Sequence, residues 1–144
     1  MTRFAVLEQG ESLARRLVAR FGPAVDARQH PHLLIIAPGT RSAPEPGGLH
    51  CRTVLLPGDC GGLLDRIYAQ SAVSYGLSGR DTITLSSRDE QRIWVALQRE
   101  LVRLDGTVLE RQEICVPIRE GLDERQTLAL AGAVLLLGGQ PERL

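Results

Sequence analysis

The chain has 144 residues, 43% of them hydrophobic and 24% charged, which is the size and composition of one soluble globular domain. Its 17 basic and 17 acidic residues cancel, so we expect neither a nucleic-acid nor a membrane partner, because both attract proteins with a positive field. Every basic residue is arginine, which excludes mechanisms that need a lysine, such as Schiff-base chemistry or a P-loop lysine.

The cysteines and the N-terminus favour a reduced, cytoplasmic location. Cys51, Cys60 and Cys115 are odd in number and lack CxxC spacing, and the first residues lack the apolar core of a signal peptide. The most apolar run, Leu128 to Leu137, is too short to span a bilayer and indicates a buried helix.

Four segments of regular structure are predicted in the first part of the chain. The apolar run Phe4 to Leu7 indicates a strand, and the helical spacing of apolar residues within Glu11 to Phe21 indicates a helix. Two continuously apolar runs, Leu33 to Ala37 and Thr53 to Leu56, are typical of strands buried on both faces.

Two more helices and two more strands are predicted further along. Apolar side chains share one side of a helix over Leu63 to Gln70, and the runs Ala72 to Tyr75 and Thr82 to Ser86 indicate strands. The segment Asp123 to Leu137 predicts an apolar helix with acidic residues at its positive N-terminal end.

A β-hairpin is predicted between these last two strands and the final helix. Its arms run from Arg92 to Leu104 and from Thr107 to Val116, and Asp105-Gly106 joins them. This dipeptide readily takes the two positive φ angles of a type I′ turn. Two strands alone are marginally stable in water, so other segments must cover one face of the hairpin.

The order of these elements predicts the fold class. Strands that alternate with helices and then give way to a hairpin indicate a single α/β domain over residues 1–144. We expect three layers, with a mostly parallel sheet that the antiparallel hairpin extends.

The turn between the first strand and the first helix stands where phosphate-binding loops occur. Such a loop needs glycines for the anion, a lysine to neutralise it and a hydroxyl for magnesium. Here Gly10 and Ser12 have suitable chemistry, but Glu11 stands where the lysine would be and would repel a phosphate. The segment therefore predicts a vestigial P-loop, and it also fits a plain strand-to-helix turn.

Five residues are candidates for lining a ligand pocket. Asp59 and Cys60 follow a strand and precede a helix, at the end of the sheet where ligands gather in open α/β folds, and Ser78, Arg80 and Asp81 lie in a loop that follows another strand. A helix N-terminus lowers the pKa of a thiol, so Cys60 is also a candidate nucleophile that would need a histidine base.

We predict no metal site. The residues that suggest one are His30, His32, His50, Cys51 and Cys60, which fall within 31 residues. However, Pro31 separates the first two histidines without a second paired motif. His50 and Cys51 are adjacent, so on a strand they point in opposite directions.

Several segments together resemble the central, nucleotide-binding domain of the Mur ligases, the ATP-dependent enzymes that add amino acids to peptidoglycan precursors. The matching segments, besides the hairpin, are Phe4 to Ser12, Ala72 to Leu77, Asp81 to Ser87, Gly121 and Ala129 to Leu135. The AVSYGL motif with the hairpin also resembles small free-standing bacterial relatives of that domain. The resemblance implies the Mur ligase central-domain fold and a shared ancestry.

The chain departs from that family where ATP chemistry needs it most. The P-loop lysine would fall on Glu11 and its preceding glycine on Leu7, and the histidine and asparagine that follow the family's glycine are missing after Gly121. We therefore expect a degenerate P-loop and no ATP-dependent ligase activity.

These observations predict a non-catalytic protein without a cofactor that acts by binding or by self-association. Its partner would be a second copy, in a homodimer, or another protein that contacts the apolar C-terminal helix or the hairpin edge. The alternative is a small enzyme or ligand-binding protein that uses Asp59, Cys60 and the loop 78–81.

Overall fold

The computed structural model describes residues 2–40 and 48–144, which form nine strands, two α-helices and two 3₁₀ helices. The strands are β1 (Phe4–Leu7), β2 (Leu33–Ile36), β3 (Leu49–Pro57), β4 (Ile67–Gly76), β5 (Ile83–Arg88), β6 (Arg92–Leu97), β7 (Leu101–Val102), β8 (Val108–Leu109) and β9 (Gln112–Pro117). The helices are α1 (Leu13–Phe21) and α2 (Glu124–Leu136), with 3₁₀ helices at Gly61–Arg66 and Pro141–Arg143.

Seven of the strands form one sheet in the order β1-β2-β3-β4-β5-β6-β9. The first five pair in parallel, and β5, β6 and β9 pair antiparallel. The apolar runs of β2 and the second half of β3 are buried, as strands covered on both faces must be. The predicted α/β class and the mostly parallel sheet with its antiparallel extension are confirmed.

Strand β4 is paired along its full length on one side only. It pairs with β3 from Ile67 to Tyr75, whereas β5 pairs with it only at Tyr75 and Gly76. The strand β5 therefore starts at the carboxyl end of β4 and continues beyond it. No described strand pairs with the other side of residues 67–74.

Both α-helices pack on the same face of the sheet. Leu13 and Leu17 of α1 and the buried residues of α2 share one core cluster with the strands. At Gly132 of α2 a Cβ would lie 2.8 Å from Ile83, so the glycine lets the helix approach the sheet closely. None of the described helices is long and apolar enough to cross a membrane.

The opposite face carries no α-helix among the described residues. Its smaller core cluster is covered by Leu63 of the first 3₁₀ helix and by Ala27 from the segment between α1 and β2. The predicted third layer is therefore made of a short 3₁₀ helix and a loop.

The prediction of a helix from Leu63 to Gln70 is wrong. The 3₁₀ helix ends at Arg66, and Ile67 already begins β4. The apolar spacing that indicated a helix is misleading, because Tyr68 is 57% exposed and extends the pairing with β3 instead. Backbone pairing along β3 outweighs the weak helical preference of this segment.

The predicted hairpin is present but divided. Strands β6 and β9 pair in the main sheet, and β7 and β8 form a separate two-stranded sheet at the tip. The prediction of a type I′ turn is wrong, because it requires a positive φ at both Asp105 and Gly106. Only Gly106 has one, of 90°. The Gly106 amide donates to Arg103 O and the Arg103 amide to Thr107 O, which is the three-residue loop with a glycine bulge.

The final helix begins and ends close to the predicted residues. The Asp123 side chain accepts a hydrogen bond from the Gln126 amide, and the Gln126 side chain accepts one from the Asp123 amide, which forms a capping box. After Leu137, Gly138 adopts a positive φ of 88°, as is usual where a helix ends.

Candidate functional site

In the turn between β1 and α1, a carboxylate of the chain binds the start of the helix. The Glu8 carboxylate accepts hydrogen bonds from the amides of Leu13 (2.8 Å) and Ala14 (3.1 Å), the first residues of α1. These amides have no partner inside the helix, and the helix dipole makes this end positive. A carboxylate of the chain therefore lies where a P-loop protein would bind a phosphate.

The residues of the predicted vestigial P-loop surround this contact. Glu11 accepts hydrogen bonds from the amides of Gln9 and Gly39, the latter at 3.0 Å, so it ties the turn to the segment after β2. Gly10 and Ser12 both have positive φ, at 84° and 61°, and the Ser12 hydroxyl makes no capping bond. Sequence reasoning missed Glu8, although a carboxylate just before a helix start was the available signal.

A cavity of about 370 Å³ lies at the carboxyl end of β3 and β4. Four of the predicted pocket residues line it, namely Asp59, Ser78, Arg80 and Asp81. Arg125, in the first turn of α2, closes another side, and sequence reasoning missed it. The parallel strands explain the grouping, since loops that follow neighbouring strands meet at one end of the sheet.

Asp81 is the most buried charged group of this cavity. It is 4% exposed, and its Oδ2 atom accepts a hydrogen bond from the Ser78 amide at 3.2 Å. Its carboxylate lies against the backbone of both strand ends: a Cβ at Gly58 would overlap Oδ1, and one at Gly76 would lie 2.6 Å from Oδ2. Only glycine leaves room for this carboxylate.

The rim of the cavity carries charges of both signs. Arg125 Nη1 donates to Asp59 Oδ2 at 3.0 Å, and both side chains are about half exposed. A pair in that environment contributes little to stability, because water screens it. Its role is to place a carboxylate and a guanidinium at the mouth of the cavity.

Cys60 is not part of this cavity. It is half-buried and packs against the smaller core cluster, and the helix that follows it is a six-residue 3₁₀ turn. The histidines lie at the other end of the strands: His50 and Pro57 are about 23 Å apart at a rise of about 3.3 Å per residue. His50 therefore lies too far from Cys60 to act as its base.

Tyr75 is buried beneath the carboxyl end of the sheet. Its hydroxyl donates to Ile36 O at 2.6 Å. Burial, and then the nearby carboxylates of Glu11 and Asp59, raise its pKa well above the ordinary range. The phenol therefore stays protonated and joins β4 to β2.

The histidines form a different arrangement at the amino end of the sheet. The rings of His30 and His50 stack with centroids 5.3 Å apart, and His50 stacks on Tyr68 at 4.8 Å. In the part of the chain that the structure describes, no three His, Cys, Asp or Glu side chains converge as metal ligands.

Two comparisons with known proteins give no match for this chain. No protein-family model matches it, and no curated protein matches it significantly.

Proposed function

We propose that this protein acts by self-association and does not turn over a nucleotide, and that two copies pair through the open edge of β4. The single observation that carries the proposal is the unpaired backbone of Ile67–Ser74, which has β3 on one side and no described strand on the other. Unpaired strand edges bind further strands through backbone hydrogen bonds.

The edge of β4 lacks the features that usually prevent such pairing. Residues 67–75 (IYAQSAVSY) contain no charged residue and no proline, in a chain that is 24% charged. Gln70, Ser71 and Ala72 are exposed, so an approaching strand meets small or uncharged side chains. Natural proteins usually block an edge with charges, proline or a covering element.

The two outer strands of the sheet have that protection. Strand β9 carries Glu113 and Pro117, and the second 3₁₀ helix packs beside it. On β1, the amide of Val25 already donates to Phe4 O at 2.8 Å. The β4 edge is therefore the better candidate, and the predicted contact through the hairpin edge is less favourable.

The predicted contact through the C-terminal helix is also less favourable than the β4 edge. The ten residues Thr127–Leu136 of α2 are all buried, so the apolar surface of this helix already belongs to the core. The apolar surface that a partner would need is therefore already covered by the rest of the chain.

A second copy of this chain is the partner that the edge fits best. When two β4 edges pair antiparallel about a two-fold axis centred near Ser71, Gln70 faces Ala72 and Ala69 faces Val73, and no like charges meet. Such pairing is self-complementary and forms a closed dimer.

The turn after β1 supports the inference that a nucleotide site has been lost. Glu8 fills the anion position, Glu11 adds a second carboxylate, and the chain has no lysine to neutralise a triphosphate. We infer descent from a domain similar to that of the Mur ligases, in which carboxylates have replaced the phosphate contacts. Protein NMR titration with Mg-ATP is expected to shift no resonance of residues 8–14, and saturable shifts there would refute this part of the proposal.

Sedimentation velocity tests the dimer. The wild type is expected to sediment as a dimer at micromolar concentration, and Ala72→Lys as a monomer, because the two lysines would be diagonal neighbours across the axis, about 7–8 Å apart, and would repel each other. Gln112→Lys, on the outer strand β9, is the matched control and should stay dimeric. Circular dichroism verifies that each variant is folded. A monomeric wild type at 200 μM, or a dimeric Ala72→Lys, would contradict the proposal.

A second candidate function is ligand binding at the carboxyl end of β3 and β4. The observation that favours it is the buried Asp81 carboxylate, which forms no ion pair with any described arginine. A small molecule with an ammonium group would supply that charge inside the 370 Å³ cavity. Thermal-shift titration with primary amines tests this, with Asp81→Asn expected to abolish the shift and Glu90→Gln to preserve it.

A further inference from the structure

A wider cleft, of about 650 Å³, lies at the amino end of β3 and β4. It is separate from the carboxyl-end cavity and shares no lining residue with it. Its lining consists of the starts of β3 and β4 and of the segment before β2. The side chains that matter for binding are His30, His32, His50, Arg52 and Tyr68.

Three aromatic rings form a continuous stack in this cleft. His50 and Tyr68 are register partners on adjacent strands, with ring planes 17° apart, and His30 stacks on His50 at 23°. A Cβ at Gly48 would lie 2.9 Å from the Tyr68 ring, so the glycine leaves room for that ring position. Tyr68 is 57% exposed, which leaves aromatic surface free for another ring.

The stacked geometry does not favour a metal ion. Imidazole nitrogens bind metals through lone pairs in the ring plane, whereas His30 and His50 present their faces to each other. The stack therefore favours planar organic groups over cations that need converging nitrogens.

The charges around the cleft favour an anion. Its ionisable lining includes Arg52 and the three histidines, and no carboxylate is among the described lining residues. Arg52 Nη1 donates to Leu104 O at 3.2 Å, which holds the guanidinium while its other N–H groups stay available. The cleft therefore has basic groups without acidic ones, although the chain as a whole has zero net charge.

His32 lies beside Arg52 and Arg3 in the same part of the cleft. Its Nδ1 atom accepts a hydrogen bond from the Arg3 amide at 3.0 Å. Burial, and then the charges of Arg52 and Arg3, lower its pKa below the ordinary value of 6.5. A nearby carboxylate would have the opposite effect.

We propose that this cleft binds a small planar anion, a flat ring that carries a carboxylate or a phosphate. The ring stacks on the exposed surface of Tyr68, and the anionic group accepts hydrogen bonds from Arg52 with His32 beside it. Aromatic stacking and a charge-assisted bond to a guanidinium act together in such recognition. This site borders the proposed dimer edge, because residues 67–70 belong to both, but the stacking and the charge that define it lie within one copy of the chain and do not require the dimer.

Three matched probes test the two parts of the ligand. 2-Naphthoate is a planar anion, 2-naphthamide has the same ring without the charge, and decalin-2-carboxylate has the charge without a flat ring. Titration followed by protein NMR shifts is expected to show 2-naphthoate binding with shifts at residues 50–52 and 68–70. Each of the other two probes should bind at least tenfold more weakly. Adenosine 5′-monophosphate and adenosine form a second pair, which tests whether a phosphate is needed. Comparing the affinities of adenosine 5′-monophosphate and 2-naphthoate distinguishes a phosphate from a carboxylate ligand.

Variants locate the binding site. Tyr68→Leu removes the stacking surface and Arg52→Gln removes the charge, and each is expected to weaken 2-naphthoate binding about tenfold. Arg111→Gln, an exposed arginine outside the cleft, should leave the affinity unchanged. Sedimentation of each variant at the same concentration separates an effect on the dimer from an effect on the ligand.

The outcomes are distinct. Selective binding of 2-naphthoate or adenosine 5′-monophosphate that both cleft variants weaken supports the proposal. If the charged and neutral naphthalenes bind equally, if shifts arise elsewhere, or if no probe binds at millimolar concentration to a folded protein, the cleft is not an anion site and the inference fails.

Discussion

The two ends of the parallel strands differ in what their polar groups contact. At the carboxyl end, carboxylates of the chain occupy the backbone donors: Glu8 contacts the start of α1, Glu11 contacts Gly39, and Asp81 contacts Ser78. At the amino end, Arg52 and the stacked rings lie beside a cleft with no described carboxylate in its lining.

This difference shows that a conventional ligand position can be closed from within. Open α/β sheets bind ligands at the carboxyl end because loop amides and helix N-termini meet there. In this chain Glu8 uses two of those donors, so an incoming phosphate would have to displace a carboxylate and lose its hydrogen bonds. The unused binding groups lie at the other end of the same strands.

The strongest test of the closed carboxyl end is Gly58→Ala. The added Cβ would overlap the buried Asp81 carboxylate, so we expect the free energy of unfolding to fall by about 3 kcal/mol. Urea denaturation measures the change. Gly79→Ala is the matched control, because no atom lies within 4 Å of its added Cβ. Equal stability of the two variants would show that Asp81 is not held as described.

A second test compares the reactivity of the Cys51 thiol in the folded and in the unfolded chain. Burial raises the pKa of Cys51, which lines the cleft, from 9.0 to about 11. The thiolate population at pH 8 is then lower by about a hundredfold, since two pKa units separate the values. Iodoacetamide labelling followed by mass spectrometry should therefore be about a hundredfold slower at Cys51 than in the urea-unfolded chain, and should accelerate with pH. Equal rates in the two states would contradict the burial of this thiol.

A smaller effect on stability is expected when the Glu8 carboxylate at the start of α1 is replaced. Glu8→Gln keeps an oxygen near the amides of Leu13 and Ala14 but removes the charge that the helix dipole favours. The free energy of unfolding should fall by about 1 kcal/mol. Glu90→Gln, at an exposed loop position, should change it little. If both substitutions have the same effect, Glu8 does not act as an anion at the start of α1.

The smallest expected effect concerns His32. Its pKa should lie below 6.5 and rise towards that value in Arg52→Gln, because one of the two arginine charges is removed. The His32 imidazole then binds its proton more tightly in the unfolded chain than in the folded protein. Acidification below pH 6.5 therefore lowers the free energy of unfolding. Nitrogen-15 NMR of the ring gives the pKa directly. A pKa above 6.5 would indicate an acidic group near the cleft.

Local residue chemistry was enough to predict several elements. The apolar runs at Leu33 and Thr53 gave strands of the parallel sheet, the amphipathic spacing gave α1, and Asp123 marked the start of α2. Asp59, Ser78, Arg80 and Asp81 were expected near one another because each follows a strand of the same sheet. These features depend on residues that are close together in the sequence or on the general geometry of α/β sheets.

Other features required contacts between distant segments. Tyr68 belongs to a strand and not to a helix, because the long β3 offers it a pairing partner that the local pattern does not reveal. The same pairing stacks Tyr68 on His50, and the path of the chain before β2 adds His30.

The sequence by itself determined the class of fold, the bounds of its most regular helices and strands, and the absence of any lysine to neutralise a nucleotide phosphate. Only the tertiary structure decided that Glu8 fills the anion position, that β4 keeps an open edge, and that the rings meet at the amino end. The physical reason is that hydrophobic periodicity fixes which face of an element is buried, whereas strand register and loop paths are set by the packing of the whole chain.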